Sequence, residues 1–218
     1  MMKNKENPWN EIPADDYEAH MSHPSVMQFQ VLKEMINEQV NDYPAKSLLY
    51  LGVSTGNGLE FVPNTIEKIY GIDYNKKYLE ICKNRFATNL PGLELFEIDL
   101  NIEFIEDKRA DLIVANLILE FVDTDSFIKQ ILAAENENTV LSIIIQEKKN
   151  VSVVSNSGVS SIKVLANFNR EIAEAELVDA LQIIKYKQIN NKRRILPDGK
   201  EFIRIDFKKI ENDFITNR

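Results

Sequence analysis

The stretch LYLGVSTGNGLEF, Leu49–Phe61, decides how the rest of the chain is read. It holds three of the seven glycines, directly after the apolar run Leu48-Leu49-Tyr50-Leu51. A buried strand that ends in glycines lets backbone approach something closely, because glycine has no Cβ and takes φ > 0 readily. Gly52 is expected to make the tight turn, and Gly56 and Gly58 to keep side chains out of a ligand's way. Asp73 closes the next strand, 21 residues after Gly52. A nucleoside-binding fold sets a carboxylate there against the ribose hydroxyls. Without a ligand, the same residues would only make a turn and cap a helix.

Working outward, apolar positions at Val26, Phe29, Leu32, Ile36 and Val40 recur every three or four residues, which predicts a helix over Ser25–Val40 with Ser25 as its cap. After it come SLLYL and IEKIYGID as strands, then NKKYLEICKNRFATNL as a helix stopped by Pro91-Gly92. LELFEIDL and ADLIVANL read as strands, the second with the unbroken apolar run of a central parallel strand. DTDSFIKQILAAEN is a helix with Asp and Thr at its start, and TVLSIIIQE a fifth strand. This alternation predicts a parallel sheet wrapped by helices on both faces. The polar stretch Asn150–Arg170 is expected to run over the ligand edge of the sheet. EIAEAELVDALQII follows as a helix, and the chain closes in a hairpin turned at Pro197-Asp198-Gly199.

Composition narrows the class. Apolar residues make up 44% and charged residues 28% of the 218, which is ordinary for a folded protein. No run approaches the roughly 18 apolar residues of a membrane span, and the N-terminus has no apolar stretch like a signal peptide. The single cysteine, Cys82, excludes an internal disulfide and is expected in the core. A cytoplasmic protein without membrane partners is the expectation. The net charge of −8 argues against a nucleic-acid partner. Lys185–Lys209 carries nine Lys/Arg against three acids, a local +6 that leaves −14 elsewhere, and is read as a solvated basic face.

The dinucleotide fingerprint would need glycines at 52, 54 and 57, but Ser54 and Asn57 stand there, which disfavours a nicotinamide-dependent oxidoreductase. The chain instead resembles the class I S-adenosylmethionine-dependent methyltransferases. The resemblance runs over roughly Lys46–Lys209: Tyr50-Leu51-Gly52-Val53-Ser54-Thr55-Gly56 with Asn57-Gly58, YGIDYNKKYLEICKNRF, EIDL, ADLIVANLILEFV and the terminal hairpin. It implies an α/β, Rossmann-like, seven-stranded, mostly parallel sheet with an antiparallel C-terminal hairpin. Residues 46–218 would form the core and residues 1–45 a helical cover. It also implies S-adenosylmethionine as donor, with S-adenosylhomocysteine as product. The donor site would use Gly52, Ser54, Thr55, Gly56, Gly58, Asp73, Tyr74, Asp99 at the adenine, Leu100, Asn116 and, from the cover, Tyr17.

Two positions depart from the family: Tyr50 stands for its first acidic residue and Ser54 for its second glycine. Both favour, as the alternative, a non-catalytic sulfur-nucleoside sensor. Asn116 lacks the two prolines and aromatic that some amino-group methyltransferases carry after it, which points to a small-molecule acceptor. It has two readings, a site residue or the cap of the following turn. The transfer needs alignment rather than a metal. Tyr17 and His20 share a helical face, as parts of a lid or as surface residues.

Overall fold

The computed structural model describes residues 7–148, 151–168 and 170–210. Helix α1 spans Ala14–Ser22 and α2 spans Gln28–Asp42. Then follow β1 (Ser47–Leu51), β2 (Lys68–Asp73), α3 (Lys76–Phe86), β3 (Leu93–Glu97), β4 (Ala110–Asn116), α4 (Thr124–Ala134) and β5 (Glu135–Glu147). Helix α5 (Glu174–Ile183), β6 (Tyr186–Ile195) and β7 (Glu201–Lys209) complete the chain. The seven strands lie in the order β3-β2-β1-β4-β5-β7-β6. The first five are mutually parallel, β7 runs antiparallel to β5, and β6 antiparallel to β7. This is the Rossmann-like sheet with a C-terminal hairpin that the sequence predicts. Among the described residues no helix is long and apolar enough to cross a membrane.

Period-two alternation divides the central strands between two cores. Leu48 and Tyr50 of β1, with Leu112 and Val114 of β4, join the core under α1, α2 and α3. Leu49, Leu51, Ile113 and Ala115 point the other way, to Phe127 and Ile131 of α4 and Leu177 and Leu181 of α5. Both faces are covered, which is why these strands read as continuous apolar runs. Cys82 is fully buried in the first core, where burial pushes its thiol up to about 12.

Three helix starts behave in two ways. Asn75 caps α3 by accepting from the Lys77 and Tyr78 amides, and Asp123 caps α4 through the Ser126 amide. Ser25 does not cap α2. The helix begins two residues later than that reading requires, after Met27 at φ 52. Ser25 instead donates to the Asn156 carbonyl at 3.0 Å, so the helix entry is set by the strand-to-helix excursion lying over it.

The basic hairpin is not a free cationic face. Lys192 and Arg194 pair with Glu38, and Arg204 with Asp42, all on α2. Arg193 reaches Glu174 and Glu201, and Lys209 reaches Glu135. Arg204 is fully buried beside Asp206, which also accepts from the Tyr43, Ser142 and Asn190 side chains. A buried carboxylate held by four donors welds the hairpin to the parallel sheet and to α2.

Candidate functional site

Strand order reverses between β1 and β4, and a cavity opens at the carboxyl ends of the strands there, where α/β sheets bind ligands. It has about 1380 Å³ of empty space counted out to its mouth.

Eight of the eleven expected residues line the cavity: Tyr17, Gly52, Ser54, Asp73, Tyr74, Asp99, Leu100 and Asn116. Asp73 is enclosed by the fold yet open toward the cavity. Its Oδ2 accepts from the Ser54 amide and its Oδ1 from the Asn75 amide, each at 2.8 Å. A carboxylate offers about four lone-pair directions, so acceptor capacity remains. Burial raises this carboxyl to about 6 against the pull of those amides. Asp99 is held by the Asn101 amide at 2.9 Å.

Thr55, Gly56 and Gly58 do not line the cavity, and the ligand-clearance role expected of the two glycines is corrected. At φ 95 and 85, a Cβ on Gly56 would strike Phe86 at 2.4 Å, and one on Gly58 would strike Ile36 at 2.5 Å. These glycines let α3 and α2 pack onto the loop. Thr55 is buried away from the cavity and donates to Glu18 at 2.6 Å. Of the three loop glycines, Gly52, at φ 73, lines the cavity, where a Cβ on it would meet Ile118 at 2.9 Å.

Asn116 does not cap the turn after β4. Its amide pairs reciprocally with Gln39, at 2.9 and 3.0 Å, and Gln39 also donates to Ser142. Tyr50 is buried and donates to the Asn57 carbonyl at 3.2 Å, so it closes the glycine loop rather than offering a charge. Burial raises its hydroxyl well above the usual phenol range.

Ser54 sits at φ 52, the conformation a glycine would take without strain. Ser54→Gly is therefore expected to relieve about 1 kcal/mol of left-handed strain. Denaturant unfolding at constant m checks this, with S-adenosylhomocysteine affinity unchanged because the amide that meets Asp73 is kept.

The far end of the cavity holds His20, which the sequence offers as a lid or surface residue, and others that sequence reasoning missed. His20 is buried rather than on the surface, with Nδ1 at 2.7 Å from Ser157 Oγ. Burial, then the nearby Lys200 charge, push its imidazole down to about 4, so it is neutral at pH 7. Gln28 donates to Gln146 at 2.8 Å. Lys200, in the hairpin turn, donates to the Val153 carbonyl and to Ser155. Glu120 is 2% exposed and burial raises its carboxyl to about 7. A lone acid within the apolar run Leu117–Val122 was the available signal for it.

Residues 49–135 match the family described as "Methyltransferase domain". Over those residues the chain carries a methyltransferase domain. It is 34% identical over 159 residues to a ribosomal protein L11 methyltransferase of Dictyoglomus thermophilum, covering 71% of this chain and 48% of that protein. The chain thus spans about half the length of the curated relatives it matches. Two solved structures share the fold at 12% identity, each with a TM-score of 0.69. One is the N-methyltransferase NodS of Bradyrhizobium japonicum with S-adenosyl-L-homocysteine, covering 94% of this chain and 97% of that one. The other is the magnesium protoporphyrin IX methyltransferase of Synechocystis with bound SAH, at 93% and 96%.

Proposed function

We propose that this chain is an S-adenosylmethionine-dependent methyltransferase acting on a small-molecule acceptor in the cytoplasm. The observation that carries the reading is one cavity with a nucleoside end and a roofed far end. At the first end, Gly52 lines the cavity and Asp73 keeps acceptor capacity beside it, which fits a ribose. Tyr74, Asp99 and Leu100 continue the same wall. When bound, the donor supplies a methyl group already activated by a positive sulfur.

The far end is roofed by α1 and by the segment 151–168, which are bonded to each other. His20 meets Ser157 at 2.7 Å and Ser161 donates to Asp16 at 2.6 Å. Such a roof excludes water and orients an enclosed acceptor, and it leaves little access for a protein surface. The Tyr50 substitution favours a second reading, a sensor that binds sulfur nucleosides without turnover.

Calorimetry with S-adenosylhomocysteine, S-adenosylmethionine and NAD, followed by transfer of labelled methyl to fractionated metabolites and to ribosomal protein, separates the cases. Binding of both sulfur nucleosides, with label on a metabolite, is expected. Label on ribosomal protein alone would overturn the acceptor assignment, and binding without label would establish the sensor.

A further inference from the structure

We propose that Glu120 docks the acceptor and receives its proton, and that the acceptor is a small amine methylated on nitrogen. The inference rests on the methyltransferase reading above. Glu120 lines the cavity just past β4. Its Oε1 accepts from the Gln146 amide at 3.2 Å, while Oε2 is buried with no hydrogen-bond partner. An ionised carboxylate can only accept hydrogen bonds, and buried polar atoms in native proteins are normally satisfied. The missing donor is therefore assigned to the ligand, which must bring an N–H or O–H.

The charged surroundings narrow that choice. Lys148, just after β5, and Arg170, before α5, pull the Glu120 carboxyl down against the burial that raises it. The Arg170 guanidinium is occupied by the carbonyls of Leu119 and Val122 and by the Thr124 hydroxyl. In the cavity wall, Lys200 is engaged with Val153, Ser155 and Asp198, His20 is neutral, and Asp73 is bound at the other end. Aromatic side chains line the same cavity: Trp9, Tyr17 and Phe121, with Trp9 edge-on to Phe121 at 5.2 Å and to Tyr17 at 5.7 Å. Aromatic faces attract cations. A buried carboxylate oxygen without a hydrogen-bond donor, in a cavity that also has aromatic walls, suits a protonated amine and disfavours a carboxylate or phosphate.

The proton balance then closes. The ammonium gives one proton to the Glu120 carboxylate. The freed nitrogen lone pair forms the N–C bond as the donor's S–C bond breaks, and sulfur keeps that electron pair. The methylated ammonium leaves, and Glu120 loses its proton to water. A carboxyl held at about 7 is matched to this exchange near neutral pH.

The test compares the full chain with Glu120→Gln, an isostere that keeps the shape and removes the base. Probes are benzylamine, tyramine and n-hexylamine against p-cresol and benzoate, with labelled S-adenosylmethionine. Transfer to at least one amine is expected. Glu120→Gln is expected to lower kcat/KM for it by about a hundredfold and to flatten its pH profile between about 6 and 8. Amine binding to the S-adenosylhomocysteine complex, read by the fluorescence of Trp9, the single tryptophan, should weaken about tenfold in the variant. S-adenosylhomocysteine affinity itself should stay within about twofold. Label on p-cresol or benzoate with the amines silent, wild-type kinetics in the variant, or no amine binding overturns the proposal. Failure of the wild-type chain to bind S-adenosylhomocysteine overturns the donor reading beneath it instead.

Discussion

Asp73→Ala is expected to weaken S-adenosylhomocysteine binding about a hundredfold. The carboxylate already anchors the Ser54 and Asn75 amides and keeps acceptor capacity for ribose hydroxyls. Each hydrogen bond to a charged group is worth about 1.5–3 kcal/mol, and about 3 kcal/mol in total corresponds to a hundredfold. Asp99→Ala should cost less, since its contact is one of several along that wall. Calorimetry showing unchanged affinity in Asp73→Ala would remove the ribose assignment. The pH dependence gives a second test. Because folding raises this carboxyl from 3.8 to about 6, the native state holds its proton more tightly. Its stabilising contribution is thus full below about pH 4 and lost as pH rises through about 6. Glu120, raised from 4.5 to about 7, acts in the same direction. Ribose hydroxyls need the ionised form as acceptor, so ligand affinity should fall below pH 6, by up to about tenfold per unit. Asp73→Asn should flatten that profile.

The sheet was legible because its signals are local. The apolar runs Leu48–Leu51 and Leu112–Ala115, the glycines after β1 and Asp73 at the end of β2 each sit within a few residues. The purpose of Gly56 and Gly58 was not legible. It depends on Phe86 and Ile36, which approach the loop only after two helices dock. The hairpin strands could be read, but not the burial of Arg204 and Asp206, because their partners come from α2, β5 and β6. Asn116 looked free to cap a turn because Gln39, its partner, is 77 residues away in the chain. The burial of His20 and the place of Glu120 in the cavity escaped for the same reason. Whether a polar side chain is solvated or buried is decided by the roof, and the roof is assembled from distant segments.

That roof can be taken off. A chain beginning at Ser22 keeps every strand, since β1 starts at Ser47, yet loses what closes the cavity. Trp9 and Ile12 carbonyls accept from the Asn75 amide and the Tyr78 hydroxyl, at 2.7 and 3.0 Å. Tyr17 stacks on Tyr78 with centroids 5.5 Å apart, and Glu18 bridges Thr55 and Arg85 at 2.6 and 2.5 Å. Ile12, Tyr17 and Met21 are buried in the first core. Removing them exposes apolar area on α2 and α3, worth about 1.5–3 kcal/mol for each fully buried side chain. The shortened chain should fold with native far-UV dichroism but a lower unfolding midpoint. It should bind S-adenosylhomocysteine at least tenfold more weakly, and methyl transfer should be lost once an acceptor is in hand. A milder cut isolates the roof from the core. His20→Ala with Ser157→Ala breaks one tie between α1 and the 151–168 segment, and should lower kcat while donor affinity changes little. Full donor affinity and full turnover in the shortened chain, or an unaltered kcat in the double variant, would mean that α1 is a docked brace and not a cover.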